Sequence, residues 1–222
     1  MRRFRSLNEP PQPSQSRTKA NKRINAHSVL LTVCGPSGAG KTTIVERLKK
    51  TYPAYVEVPE GNNELRSLLQ GKEGFDATRN QRWFLEQIME FVARADPNSP
   101  LVLDQDPAAI IFAYSRMFRD QGLIRHREYR LLLKQLERIE RRLKHWRTPR
   151  IIYFLDAPPI VLRARVLKRC GREQTPPLWW FVRTRNYFRE LSSTFPKAIT
   201  LSTVDHSIND IVSQMHQAMS VN

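Results

Sequence analysis

The sequence predicts an α/β fold, a five-stranded parallel sheet covered by helices on both faces. Three observations predict it. Short apolar, β-branched runs alternate with longer stretches of helical periodicity from Ser28 onward. The runs are continuously apolar, as strands buried on both faces are. The first of them leads into a glycine-containing turn and then a helix, the unit from which parallel sheets are built. With 222 residues and 40% hydrophobic composition, one such domain can bury a full core.

The segment Met1–His27 stands apart. It carries Arg2, Arg3, Arg5, Arg17, Lys19, Lys22 and Arg23 against a single acid, Glu9, and holds Pro10, Pro11 and Pro13. Few of its residues could enter a core, so a disordered basic tail is expected over residues 1–27 and the folded domain over 28–222. The tail is Arg-rich and acid-poor like an organelle-targeting segment, but its prolines oppose the amphipathic helix such a segment needs.

The elements then follow in order. Ser28–Cys34 is the first strand, Gly35–Gly40 a tight turn, and Thr42–Lys50 a helix. Tyr55–Val58 reads as a second short strand ending at Pro59-Glu60. Trp83, Phe84, Ile88, Phe91 and Val92 have helical spacing and place a helix over Arg82–Ala95. Leu101–Leu103 is the third strand, and Ala108–Trp146 a long helical region broken near Gly122. Ile151–Leu155 is the fourth strand, followed by a proline-started helix over Pro158–Arg169. Leu178–Leu191 is helical, Ala198–Leu201 is the fifth strand, and Ile208–Met219 is a closing helix.

Composition removes several classes. Cys34 and Cys170 lie far apart and form no metal-ligand pattern, which argues against a disulfide scaffold and for a reducing cytoplasm. No apolar run is long enough to span a bilayer, and no signal-peptide core follows the first methionine, so a soluble protein with no membrane partner is expected. The formal net charge of +16 favours anionic partners, whether nucleic acid or polyphosphate.

The chemistry begins at Gly35-Pro-Ser-Gly-Ala-Gly40-Lys41-Thr42, a complete Walker A sequence between strand and helix. Its glycines let the backbone curl so that successive N–H groups point inward as an anion nest. Phosphate contacts are therefore expected from Gly35, Ser37, Gly38, Ala39, Gly40, Lys41, Thr42 and Thr43. The helix start adds its positive dipole end. Lys41 places a point charge by the β- and γ-phosphates, and the Thr42 hydroxyl suits magnesium. A guanine-reading Asn-Lys-x-Asp segment is absent, and Leu101-Val-Leu-Asp104 matches the acidic Walker B strand of ATPase machines only in part.

The segments downstream resemble those of the deoxynucleoside kinases and their relatives the thymidylate kinases, from about Ser28 to Leu191. Val58-Pro59-Glu60 is similar to the family's Val-Pro-Glu, in which the glutamate is the general base for the sugar hydroxyl; Gly61 replaces the family's second proline. Gln87 with Arg94 seven residues on resembles the family pair that reads the base edge, two helical turns apart. Ile111-Phe-Ala113, Met117-Phe118 and Gly122-Leu-Ile124 resemble the family's Ile-Phe-Ala segment. The element before it departs: where the family has an acid followed by arginine and serine, this chain has Asp104-Gln105-Asp106. Asp104 then stands as acceptor-binding residue and metal ligand, and either another arginine such as Arg116 supplies the missing charge, or the acceptor differs from an ordinary deoxynucleoside, or the site is impaired. Leu155-Asp-Ala-Pro-Pro159 followed by Arg163, Arg165, Arg169 and Arg172 resembles the lid, whose arginines close over the triphosphate. Glu173 would bind the sugar 3′-hydroxyl.

The resemblance implies a P-loop NTPase fold with an arginine-bearing lid, using ATP and Mg2+ to phosphorylate a small acceptor: the 5′-hydroxyl of a (deoxy)nucleoside, or a nucleoside monophosphate. It implies Glu60, Lys41, Arg165, Arg169 and Arg172 as catalytic residues. A rival reading is a nucleotide-gated nucleic-acid-binding protein or a polynucleotide-end kinase. It draws on the tail and on Arg130, Lys134, Arg138, Arg141, Arg142, Lys144 and Arg147, set against Glu137 and Glu140. Leu132, Leu133, Leu136, Ile139 and Leu143 give this helix a buried face. In the resembled family the region often pairs subunits, so a homodimer with a basic face beside its seam accounts for the charge. No aromatic residues are interleaved with the basic run, as strand stacking would require.

Overall fold

The computed structural model describes residues 29–51, 76–95, 101–144, 150–173 and 175–220. The expected tail, the expected strand Tyr55–Val58 and Glu60 lie outside them. Strand β1 (Leu30–Cys34) is buried along its whole length, Thr32 included, as its mostly apolar, β-branched run predicts. It is flanked by β2 (Leu101–Asp104) and β3 (Ile151–Asp156), and β3 pairs in turn with β4 (Ile199–Ser202). All three pairings are parallel. Among the described residues the sheet therefore has four strands, in the order β2-β1-β3-β4, and not the five expected.

Helix α1 (Lys41–Thr51) follows β1 directly, and α2 (Ala77–Arg94) begins where the Asp76 side chain accepts a hydrogen bond from Arg79 N at 3.0 Å. That cap starts the helix at Ala77, five residues before the expected start at Arg82. After β2 the chain forms α3 (Pro107–Ala109), a π-helical turn (Ile110–Ser115) and α4 (Arg116–Asp120), without a break. The π turn is held from within, because the Ser115 hydroxyl donates to Ile110 O at 2.8 Å. Helices α5 (His126–Leu143), α6 (Pro159–Cys170), α7 (Leu178–Thr194) and α8 (Ile208–Ser220) complete the fold.

One contiguous core joins the sheet to its helices. Leu31, Val33, Leu85, Leu103, Ile139 and Leu162 are among its fully buried members, and each such aliphatic side chain contributes about 1.5–3 kcal/mol by leaving water. Aromatic contacts seat α7: Phe188 meets Tyr114 of the π turn edge-on at 5.4 Å and Phe154 of β3 at 6.5 Å. β1 lies between β2 and β3, so its C-terminal end opens the crevice where parallel sheets of this kind bind ligands.

Candidate active site

The loop leaving β1 occupies that crevice. Gly38 has φ +84, and a Cβ on it would lie 2.6 Å from Leu162 O, so only glycine fits between the loop and α6. Ala39 N donates to Pro36 O at 3.1 Å, closing the turn. Lys41 is 4% exposed, and its Nζ also donates to Pro36 O, at 3.4 Å. The ammonium is thus folded over the loop that the sequence expects to hold phosphates.

Register sets the next contact. Val33 pairs with Asp104 on one side and Tyr153 on the other, which brings Asp104 to the sheet edge level with the loop. There the Thr42 Oγ1 hydroxyl donates to Asp104 Oδ2 at 2.9 Å. A hydroxyl and a carboxylate so placed are hard oxygen donors of the kind Mg2+ prefers.

The turn after Asp104 is constrained from both sides. Gln105 N donates to Val33 O at 3.0 Å, while Asp106 Oδ1 accepts from Ala108 N at 2.7 Å. Arg150 donates to Asp106 Oδ2 and to both oxygens of Glu140, at 2.8 and 3.0 Å. Burial alone would lower the Arg150 guanidinium, but Asp106 and Glu140 outweigh it and hold its pKa above the ordinary value. Burial also pushes the nearby Cys34 thiol well up, so this cysteine is a packed apolar group and not a nucleophile. Between these anchors Gln105 takes φ +93, rare for a residue with a Cβ, and is 8% exposed. Neither polar atom of its amide has a hydrogen-bond partner among the described residues.

On the other side of the loop, a cavity of about 340 Å³ is lined by residues 37–44, by Arg165 and Arg169 of α6, and by Thr203, His206 and Ile208. Arg165 is engaged: it donates to Thr203 Oγ1 at 2.7 Å, Thr203 O at 2.9 Å and Gly38 O at 3.4 Å. Arg169 is exposed at the rim, and Arg172 and Glu173 stand exposed in the turn beyond α6. Thr203 N in turn donates to Asp156 O at 2.8 Å. The Asp156 carboxylate receives Arg185 at 2.7 and 2.9 Å and Arg189 at 3.0 and 3.2 Å. Burial pushes the Asp156 carboxyl up, but the hydrogen bonds from these two arginines outweigh it and hold it below the ordinary range.

The expected base-reading pair is placed apart from this cluster. Arg94 is 79% exposed and ion-paired with Glu90 at 3.1 Å, and Gln87 is half-buried on α2. The buried polar residues of α2 are Thr78, Asn80 and Gln81, the last two being amides. Ser115 Oγ of the π turn lies 3.4 Å from Gln81 Oε1, and neither polar atom of the Asn80 amide has a partner among the described residues. Arg116, the candidate for the missing charge, pairs with Glu190 at 2.6 Å. Asn80, Gln81, Thr203 and His206 escaped the sequence reading. The signal that could have found the first two is position: they continue the buried face of α2 one turn before its apolar residues begin.

Comparison with known proteins agrees with this geometry. The chain is 32% identical over 80 residues to guanylate kinase of Lawsonia intracellularis (strain PHE/MN1-00), a match covering 31% of this chain and 38% of that protein. Among solved structures it is similar to deoxyadenosine kinase from M. mycoides with the products dCMP and a flexible dCDP bound (TM-score 0.68, 12% identity, covering 87% of this chain and 100% of the other). The same enzyme with bound dATP gives TM-score 0.66 at 13% identity over 86% of this chain and 100% of the other. At such identities the likeness shows the fold. The sequence model of the deoxynucleoside kinase family matches residues 31–219, nearly the whole described chain, and the protein belongs to that family.

Proposed function

We propose that this protein transfers the γ-phosphate of ATP to the 5′-hydroxyl of a nucleoside. The observation that carries the reading is the complete phosphate loop opening beside Asp104, in a chain of the deoxynucleoside kinase family. The loop amides and Lys41 would hold the β- and γ-phosphates, with Thr43 beside them at the start of α1. Thr42 and Asp104 would hold Mg2+, which when bound neutralises charge on the β- and γ-oxygens. Arg165 ties the loop at Gly38 to Thr203, and Arg169, which lines the cavity, would reach the triphosphate as a lid residue, with Arg172 following it.

On the acceptor side Glu60 is proposed as the base that takes the hydroxyl proton, and Glu173 as a sugar ligand. Gln81 with Asn80 is proposed to read the base edge, because these are the buried amides of α2 beside the π turn; Gln87 and Arg94 are the competing pair. Gln105 stands where the resembled family has an arginine, and an uncharged amide there suits a neutral hydroxyl acceptor better than a dianionic phosphate. A nucleoside monophosphate is the second reading, and the guanylate kinase match favours it. The family habit of pairing subunits supports a homodimer, and two free cysteines support a reducing cytoplasm. Among the described residues no helix is long and apolar enough to cross a membrane.

A panel of nucleosides and monophosphates, each incubated with ATP and magnesium and read as ADP release, tests the proposal. Release is expected with at least one nucleoside. Release with monophosphates alone would replace this reading by the second.

A further inference from the structure

Helix α5 carries its charge in one line. Tyr129, Leu132, Leu136, Ile139 and Leu143 are buried in the core. At about 100° per residue the opposite face is that of Arg127, Arg130, Lys134, Arg138 and Arg141, three and four residues apart and all exposed. With a rise of about 1.5 Å per residue the line runs roughly 21 Å, with a cation about every 5 Å.

Among the described residues the acids of the same helix form no ion pair with the line and are fewer than its five cations. Glu128 accepts from Arg125 N at 2.8 Å, and Glu140 is taken by Arg150 at 2.8 Å. That leaves Glu137 as the exposed acid of α5. Among the described residues none of the five cations has an ion-pair partner; Arg141 donates only to the Glu137 carbonyl of its own helix, at 3.4 Å. At the N-terminal end of the line, a cavity of about 790 Å³ lies between α2 and α5. Arg79, Arg82, Arg125, Arg127 and the half-buried Trp83 line it, with Asp76, Glu86 and Glu128 beside them. Two of those acids, Asp76 and Glu128, are oriented by the backbone N–H groups of Arg79 and Arg125 and keep their charge, so the four arginines outnumber the three acids by one. This cavity shares no lining residue with the one over the phosphate loop.

Like charges three and four residues apart repel, so such a row weakens the helix that bears it unless an anion covers it. We propose that this face binds a single strand of nucleic acid, its phosphates along the α5 line and a base against Trp83 in the α2–α5 cavity. A row of cations at regular spacing complements a chain of regularly spaced phosphates, and an aromatic ring in a groove at its end supplies the stacking platform that strand binding uses. A second copy of this chain is a poor occupant of the arginine line itself, because a two-fold axis across it would set the line against itself, so the seam of a homodimer would lie beside this face and not on it. An anionic bilayer is also a poor one: the apolar face of α5 is committed to the core, and Leu131 is the one large apolar residue the helix exposes.

The test is fluorescence anisotropy of a labelled oligothymidine strand with the full chain across a salt series. Wild type is expected to bind with a slope of log K against log salt of about −3 to −4, for five phosphates at roughly 0.7 each. R130E/R138E should weaken binding at least tenfold and flatten the slope by about 1–2, while thermal melting confirms the fold. Trp83→Leu should weaken binding with the slope unchanged. R17E/K22E, which alters the basic tail by the same charge, should have the smaller effect. Undiminished binding by R130E/R138E, or tighter binding of a duplex of the same length, would overturn the proposal. So would phosphatidylserine vesicles capturing the wild type as well as the strand does and losing it to the same reversal.

Discussion

The Thr42 hydroxyl reaches the Asp104 carboxylate across 2.9 Å, although 62 residues separate them in the chain. This single hydrogen bond joins the phosphate loop to the end of the neighbouring strand, and both partners are oxygen donors suited to magnesium. Thr42→Ala is expected to raise the Mg2+ concentration for half-maximal turnover by about tenfold, the equivalent of roughly 1.4 kcal/mol. ATP binding measured calorimetrically at several Mg2+ concentrations should show the same displacement. An unchanged Mg2+ dependence in both measurements would separate Thr42 from the metal.

The loop is closed by its own backbone, Ala39 N donating to Pro36 O at 3.1 Å, so it does not need the Lys41 side chain in order to form. Lys41→Ala is therefore expected to keep the wild-type circular dichroism spectrum while kcat falls by about a hundred- to a thousandfold, the loss typical of one positioned donor to a charged transition state. Turnover near wild type would remove Lys41 from the chemistry.

The two cavity-lining arginines of α6 should separate in their effects. Arg165 is tied to Gly38 and Thr203, so Arg165→Ala is expected to lower the melting temperature by a few degrees and raise the KM for ATP together. Arg169 has no such ties among the described residues, and Arg169→Ala is expected to lower kcat with the melting temperature unchanged. Identical behaviour of the two variants would contradict the division of roles.

Asp156 gives a pH signature. Its carboxyl is held below the ordinary range by Arg185 and Arg189, so its contribution is present above the unfolded pKa, about 3.9, and is lost as pH falls through the lower folded value. Asp156→Asn is expected to melt lower than wild type at pH 7, with the two curves converging towards pH 3. A gap that stayed constant with pH would assign the loss to packing.

Legibility in the sequence followed the range of each interaction. The phosphate-loop sequence is local and was readable, as were the four observed strands, although β4 is exposed at Ile199 and Thr200. The buried polar turn that opens α2 was not readable from apolar periodicity, because it holds Thr78, Asn80 and Gln81, and Leu85, Ile88 and Val92 come only later. Nothing in the Ile110–Ser115 segment announced a π turn, which depends on a hydroxyl bonding five residues back. The Asp106–Arg150–Glu140 group and the Arg165–Thr203 tie join residues distant in the chain, so no spacing rule could find them.

The placement of base recognition on Gln81 rather than Gln87 has its own test. Gln81→Ala is expected to raise the acceptor KM about tenfold and relax base preference, with the KM for ATP unchanged, and Gln87→Ala to have the smaller effect. The reverse order would return the role to Gln87 and Arg94.

The central claim is transfer to a nucleoside, and the identity of the phosphorylated product tests it most directly. With γ-labelled ATP, Mg2+ and a mixture of deoxynucleosides, mass spectrometry of the products is expected to show labelled nucleoside 5′-monophosphate formed in step with ADP. Glu60→Gln should lower its rate by about a hundredfold, the usual scale of general-base catalysis, while ATP binding is retained. Label appearing only in inorganic phosphate, with no nucleoside carrying it, would contradict the account.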